Sequence, residues 1–250
     1  YQQPGGCCTA WQRRDYTFDW CISWLNGSGK GTEMSEIWQE LGVLKNQHIQ
    51  HFDVFNTVIS PEGKKVKFYS DPNKLEHELL TIAPEDKLLI KTFCQYIRQF
   101  QKSTKYYPFL KAPGLMTLWD KSKMMLQLLP YMRLFMKTLS VTTEQFANKF
   151  KNPFLREAFN WIFYDRHDHF ALLAYCFNLA DAANKNAGVP HGGSLTLAKN
   201  LEKQLLSLGG KIHYNTKVEE IQVHNDIAKG VILDNNQEIA ADYIVSACDG

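Results

Sequence analysis

The chain has 250 residues, of which 44% are hydrophobic and 22% charged, and its formal net charge is +2. This composition indicates a globular protein with a real core rather than a disordered chain. A net charge this small argues against nucleic acid or another strongly charged polymer as a partner. The sequence contains no apolar run near the ~20 residues that span a bilayer, and no charged and apolar leader opens it.

The six cysteines have no spacing typical of a zinc site or a disulfide framework. Adjacent Cys7 and Cys8 would point to opposite faces of a strand, so we expect two thiols rather than a bond between them. A reducing compartment is the simplest interpretation, and we expect a cytoplasmic protein. Because the sequence opens with Tyr1 rather than Met, we also expect it to be an internal piece of a longer protein.

The first seventy or so residues are expected to form short strands and one helix. Residues 8–12 and 16–18 predict a hairpin, and residues 34–41 predict an amphipathic helix that ends at a glycine. Two further strands are predicted at 51–59 and 65–69, on either side of a turn that contains Pro and Gly.

Helical periodicity begins at Asp71 and continues to about residue 183. Asp71 is a predicted N-cap, and Pro72 stands at the first helical position. After Gly192 and Gly193 a further helix is predicted, followed by strands at 212–214, 218–224 and 227–233. The last apolar run, 243–248, predicts a strand buried on both faces, as in a parallel sheet.

The predicted order is β-rich, then helical, then α/β. A helical insertion within one α/β domain explains this order better than two independent domains do. We therefore expect residues 1–45 and 188–250 to belong to one domain and residues 46–187 to form an inserted, mostly helical domain with a β-hairpin.

Two motifs invite a ligand-binding interpretation that their spacing does not support. A P-loop needs a Gly separated by four residues from its Gly-Lys pair and Ser or Thr after the Lys, but Trp24 and Gly31 occupy those places around Lys30. We expect a turn there. The segment Arg166-His167-Asp168-His169, with His48 and His51 elsewhere, could supply metal ligands. His167 and His169 would diverge by about 200° on a helix, so a polar surface turn is favoured over a metal site.

The segment 115–139 mixes Met, Leu and aromatic residues with Lys and Arg, and it is interrupted at Pro130. Core packing is the simpler interpretation. Peripheral contact with a membrane, or gating of an apolar tunnel, is the alternative, because basic residues accompany the apolar ones.

Several strings near both ends carry a family resemblance through their order and separation. They are Pro4-Gly5-Gly6, Tyr16-Thr17-Phe18-Asp19, Ser23-Trp24, Pro190-His191-Gly192-Gly193-Ser194, Leu208-Gly209-Gly210-Lys211-Ile212, Asn215-Thr216-Lys217-Val218-Glu219-Glu220-Ile221, Ala228-Lys229-Gly230-Val231 and Ala241-Asp242-Tyr243-Ile244-Val245-Ser246-Ala247. Together they resemble the flavoproteins that include phytoene desaturases, carotenoid isomerases and retinol saturases, and more distantly the monoamine oxidases.

The resemblance implies a Rossmann-like FAD-binding domain with a β-meander after Gly210 and a helical block that covers the substrate cavity. It places Gly5 and Gly6 along the FAD pyrophosphate and the backbone of Val218 at the adenine end. It implies oxidation, reduction or isomerisation of C–C bonds in an apolar, polyene-like substrate, with hydride transfer to or from flavin N5. No catalytic side chain is assigned, because the cofactor carries this chemistry.

This sequence departs from the family pattern at several positions. Cys7 stands where Arg usually follows the glycine pair, and Trp20 and Cys21 stand where a glycine is expected. The GxGxxG loop and the acidic ribose ligand of the family are not in this sequence. A flavin amine oxidase, or a non-enzymatic module that binds a lipid or a protein partner, therefore remain as alternatives.

Overall fold

A computed structural model of the chain describes residues 2–19, 21–103, 111–163 and 170–247. The strands are β1 (Ala10–Arg13), β2 (Tyr16–Asp19), β3 (Leu25–Asn26), β4 (Ile49–Gln50), β5 (Val54–Ile59), β6 (Lys65–Tyr69), β7 (Ala187–Pro190), β8 (Val218–His224), β9 (Ile227–Leu233) and β10 (Glu238–Ala240). The helices are α1 (Glu33–Glu40), α2 (Pro72–Ile82), α3 (Lys87–Ser103), α4 (Leu118–Leu128), α5 (Met132–Leu139), α6 (Thr143–Ala147), α7 (Pro153–Ala158), α8 (Leu172–Ala183) and α9 (Gly193–Ser207).

Helix ends follow the capping residues in the sequence. The Asp71 side chain accepts hydrogen bonds from the backbone N–H groups of Asn73 and Lys74 at the start of α2, as predicted. Thr32 caps α1 through a capping box, and Gly42 follows its C-terminal end with φ of 75°. The predicted helical block is confirmed by helices α2 to α8, which all lie between Pro72 and Ala183.

The strand pairs of the described residues are all antiparallel. β1–β2 and β5–β6 are the two predicted hairpins. A small sheet of order β3–β7–β4 joins the beginning of the chain to the segment that precedes α9. The structure is thus a mixed helix and sheet fold, consistent with the expected α/β class, and the division into domains stays a prediction.

The helical block packs around one aromatic core. Phe159 is 1% exposed, and its ring centroid lies 4.8 Å from Phe93, 5.3 Å from Phe146 and 5.4 Å from Phe150. Phe68 from β6 joins the same cluster, so the β5–β6 hairpin is part of this layer. The rings meet at tilted or edge-on angles, which is the favourable geometry for aromatic pairs.

Two predicted strands near the C-terminal end are wrong. Residues 212–214 and 243–247 form no strand, and Tyr243 and Val245 are 91% and 90% exposed. A strand needs a hydrogen-bonded neighbour, and the described residues place none beside either segment. The β-meander itself is confirmed, but its third strand is β10, which follows a turn at Asn236 with φ of 63°.

The first helix of the segment 115–139, α4, does not pack in the core as predicted. α4 contributes no buried residue, and Leu118 and Trp119 are 85% and 77% exposed. Core packing is therefore wrong for α4. It holds for α5, where Leu134 is buried against the helical core.

Candidate functional site

The Pro4-Gly5-Gly6 segment forms a tight turn against helix α9. Gly5 and Gly6 have φ of 105° and 54°, a region that favours glycine. The N–H of Cys8 donates to the carbonyl of Gly5 over 2.7 Å, which closes the turn. A Cβ at Gly5 would collide with the Cys8 carbonyl and lie 2.9 Å from the Cβ of Ala198, whereas one at Gly6 would meet nothing within 4 Å. Gly5 is thus needed for packing, and Gly6 is the glycine with open space beside it.

Asp19, at the end of β2, holds the N-terminus of α9. Its carboxylate accepts hydrogen bonds from the Ser194 backbone N–H over 2.6 Å and from the Ser194 hydroxyl. The same hydroxyl oxygen accepts from the N–H of Ile22 over 3.1 Å. A carboxylate is favourable at a helix N-terminus, where N–H groups lack partners within the helix. The network fixes the β1–β2 hairpin and the glycine turn against α9.

An apolar cavity of about 170 Å³ begins one residue beyond this network, at Ser23 and Trp24. The Trp24 ring lies 5.3 Å from Phe55 and 5.6 Å from Phe163, centroid to centroid. The Trp24 indole N–H donates to the Asn178 side chain over 3.2 Å, which holds the ring in place. The described lining contains no acidic side chain; its other members are His51, Phe52, Asn56, Ser70, Ile162, Ala182, Ala187 and Val189.

His51 is the titratable residue in this lining. Its Nδ1 is buried and has no hydrogen-bond partner among the residues that the structure describes. Burial lowers the pKa of His51, and the positive charges of Lys185 and His48 act in the same direction. A neutral imidazole is the consequence, since a protonated ring would bury an N–H without an acceptor.

The glycine-rich loop before α1 is a turn, as predicted. The backbone N–H groups of Gly27 and Gly29 donate to the carbonyl and side-chain oxygens of Asn186, over 2.9 and 3.0 Å. Thr32 uses its side chain to cap α1. The loop amides that a P-loop would aim at a phosphate are therefore partly engaged within the protein.

Val218, at the start of β8, belongs to the β-meander, whereas the glycine turn precedes β1 and is part of no sheet. It is 49% exposed and lines an open cleft of about 990 Å³ together with residues 215–221, Val231 and residues 244–247. Gly5, Gly6 and Val218 were predicted as cofactor-binding residues. Gly5 and Gly6 are consecutive residues of one turn, and Val218 lies elsewhere, in the meander. Their role in cofactor binding stays a prediction.

A protein-family model for flavin-containing amine oxidoreductases matches residues 2–250 of the chain. The chain belongs to this family. A curated relative, the neurosporene-forming phytoene desaturase of Rhodobacter capsulatus, is 27% identical over 225 residues, which cover 86% of this chain and 41% of the relative. The chain thus spans less than half the length of that relative.

These similarities confirm the expected family, phytoene-desaturase-like FAD-dependent oxidoreductases, and FAD as its cofactor. The described residues fit part of such a cofactor site. Gly6 offers backbone without a side chain next to open space, which suits the close approach of a phosphate group. The start of α9 is not part of this fit, because the Asp19 carboxylate already accepts from the Ser194 N–H there.

Sequence reasoning did not assign the residues that build the site around the glycines. Asp19 and Ser194 lie within sequence strings that carry the family resemblance, but the contact between them joins positions 175 residues apart. The sequence suggested His51 only as an alternative metal ligand, not as part of an apolar cavity. Arg166, His167, Asp168 and His169, the alternative metal ligands, lie outside the described residues. Among the residues that the structure does describe, no group of three or more His, Cys, Asp or Glu could hold a metal.

Proposed function

We propose that the complete protein is an FAD-dependent oxidoreductase that acts on C–C bonds of an apolar, polyene-like substrate, by hydride transfer to or from flavin N5. The observation that carries this proposal is the aromatic cavity of Trp24, Phe55 and Phe163 that begins beside the Asp19–Ser194 network. The desaturase named above supports an apolar substrate. We further propose that residues 1–45 and 188–250 belong to a Rossmann-like FAD-binding domain and residues 46–187 to the substrate domain.

Bound flavin would supply the redox chemistry, and the protein would supply positioning and a dry surface. Gly6 would let its backbone approach the pyrophosphate, and the Asp19–Ser194 network would keep the turn and the start of α9 in register. Val218 would contact the adenine end through its backbone. The cavity is smaller than the roughly 300–1,000 Å³ of ligand pockets, so it would receive one end of a long substrate.

The cofactor role is tested with a matched glycine pair in the full-length protein. Gly6 and Gly63 both have positive φ and open space at the Cβ position, but Gly63 lies in the β5–β6 turn. Gly6→Ala should weaken FAD binding about tenfold, which corresponds to ~1.4 kcal/mol, and Gly63→Ala should not. Flavin absorbance after gel filtration measures the retained cofactor. Equal retention of FAD by the Gly6→Ala and Gly63→Ala variants would show that Gly6 is not part of the cofactor site.

Amine oxidation is the second candidate, because the family is named for it. The absence of an acidic side chain from the described cavity lining favours an apolar substrate over a cationic amine. Anaerobic bleaching of the bound flavin by an acyclic polyene, compared with a primary amine, separates the two. Bleaching by the amine alone would overturn the polyene proposal. A purified protein that takes up no FAD would favour the non-enzymatic alternative.

We also propose that the 115–139 segment contacts a membrane surface. Leu118, Trp119 and Leu126 on α4 are 85%, 77% and 69% exposed. The segment carries four basic residues and one acidic residue, Asp120, which pairs with Lys111 over 2.6 Å. Exposed apolar groups beside basic ones suit a bilayer with anionic lipids, where each basic residue adds about 1 kcal/mol. None of the described helices is both long and apolar enough to span a bilayer.

Vesicle sedimentation tests this contact. Replacing Leu118 and Trp119 with Ser should reduce binding to vesicles of phosphatidylcholine and phosphatidylserine at least tenfold. The control is Leu88→Ser on α3, where the side chain is 82% exposed outside the segment. Equal binding of both variants would contradict the proposal, as would equal binding of the wild type to vesicles without phosphatidylserine.

A further inference from the structure

A second cleft, of about 730 Å³, lies beside the apolar cavity that Trp24 lines. His51 belongs to the linings of both, and Asn186 in the cleft is followed along the chain by Ala187 in the cavity. The loop 28–32 and residues 47–49, 184 and 185 complete the described lining of the cleft. The two spaces therefore meet at His51, which places both within reach of one long ligand.

The cleft differs from the cavity in charge. Lys30, His48 and Lys185 contribute to its lining, and the described part of that lining contains no acidic side chain. Lys30 and Lys185 are exposed, and the ion pairs of the described residues involve neither of them. Two lysine ammonium groups are therefore available to an anion in the cleft.

The backbone around the two lysines is held by hydrogen bonds to β7 and to the end of α8. The Ser28 hydroxyl accepts from the N–H of Gly188 over 2.8 Å, in a buried position. Lys185 follows α8 with φ of 55°, and its N–H donates to a carbonyl in the last turn of that helix over 3.0 Å. The N–H groups of Lys30 and Gly31 donate to none of the described residues. The lining thus combines a fixed backbone, two lysines and two further donors.

We propose that the substrate carries an anionic group, a carboxylate or a phosphate, at one end. Lys30 and Lys185 bind this group in the cleft, and the apolar part enters the cavity beside Trp24. The inference rests on the proposed function and adds a charged end to its polyene substrate. Ammonium groups form charge-assisted hydrogen bonds with either anion, whereas the apolar cavity excludes both because burying an unpaired charge is costly. The substrate would therefore enter in one direction, which selects the C–C bond nearest the flavin.

The test compares three ligands of the full-length protein with bound FAD: all-trans-retinol, all-trans-retinoic acid and all-trans-retinyl phosphate. The three share one polyene and differ in the end group. Quenching of tryptophan fluorescence measures their binding. The acid or the phosphate should bind about tenfold more tightly than the alcohol, and the tighter of the two identifies the group. Equal affinity for all three overturns this inference alone, and binding of none overturns the proposed function with it.

The role of the lysines is tested by combining Lys30→Gln with Lys185→Asn, since Asn tolerates positive φ. Lys91→Gln is the control, because Lys91 is exposed on α3, outside the cleft. The double variant should bind the anionic ligand about tenfold more weakly and retinol as before, and the control should change neither. An unchanged affinity for the anionic ligand, or an equal loss for retinol, overturns the proposal. Loss of flavin absorbance from the double variant would assign the cleft to the FAD phosphates and overturn it as well.

Discussion

The helical layer and the C-terminal β-meander both contain many apolar residues. These side chains are buried in the layer, but many are exposed in the meander. In the layer, Ile90, Phe159 and Tyr175 are each 0–1% exposed within one cluster. In the meander, Val223 and Ile227 are 56% and 54% exposed. Both regions form regular backbone hydrogen bonds, so they differ in how far their apolar side chains are buried.

The difference separates two sources of stability. The helices contact one another, and their apolar stripes face a common interior, so burial stabilises this layer. The meander is held by its hydrogen-bond ladder, with β8 and β9 joined over seven-residue strands. The described residues place no apolar surface over most of its side chains. We expect the same substitution to cost several times more free energy of unfolding in the helical layer than in the meander.

The largest effect is expected for Phe159→Ala, at the centre of the helical layer. Its ring contacts Phe93, Phe146, Phe150 and Tyr175, and truncation would leave a cavity among them. A loss of about 3–5 kcal/mol in the free energy of unfolding is expected. Urea titration measures it. A loss below about 1 kcal/mol would mean that this cluster is not the main core.

The same contrast explains what the sequence could predict. Helices α2 and α9 and the turn between β8 and β9 follow from local signals: Asp71 before Pro72, the glycine pair at the start of α9, and Asn225-Asp226 in the turn. The sheet of β3, β7 and β4 could not be predicted, since its strands have two to four residues and pair across more than a hundred positions. Residues 243–247 have the pattern of a strand, but pattern alone does not supply the neighbour.

The residues of the candidate site also differ in whether the sequence reveals them. Gly5 and Gly6 are recognisable from the sequence through the family string Pro4-Gly5-Gly6, and their positive φ explains why glycine stands there. The contacts of Asp19 with Ser194 and the position of His51 beside the cavity depend on tertiary packing. No local spacing encodes these contacts, so the sequence does not predict them.

The next effect in size is expected at the junction between the two ends of the chain. Ser194 is fully buried, and its hydroxyl connects Asp19 with the N–H of Ile22. Ser194→Ala would leave that N–H without its acceptor, at a cost of about 1–3 kcal/mol. Urea titration gives the stability change. Thr196→Ala on the same helix is the control, because its hydroxyl bonds only locally to Gly192 in an exposed position; similar losses for both would contradict the bridging role.

A smaller, pH-dependent effect is expected for His51→Gln. Since the pKa of His51 is lowered in the folded protein, the unfolded chain binds a proton first as pH falls through about 6.5. His51 therefore reduces stability as pH decreases below its unfolded pKa, and the effect is absent above it. Urea titrations between pH 7.5 and 5.5 should show a shallower decline for the variant. Parallel declines would mean that His51 has the same pKa in both states.

The smallest effect is expected for Ile227→Thr in the meander. Ile227 is 54% exposed, and Thr keeps the β-branched shape that suits a strand, so the change should stay within about 0.5 kcal/mol. Ile90→Thr makes the same substitution at 0% exposure in α3 and should cost about 2 kcal/mol or more, because it removes packing and buries a hydroxyl. Urea titration of both variants in the full-length protein compares the regions directly. A loss at Ile227 equal to that at Ile90 would show that the meander's apolar face is covered in the full-length protein, and would place part of the hydrophobic core there.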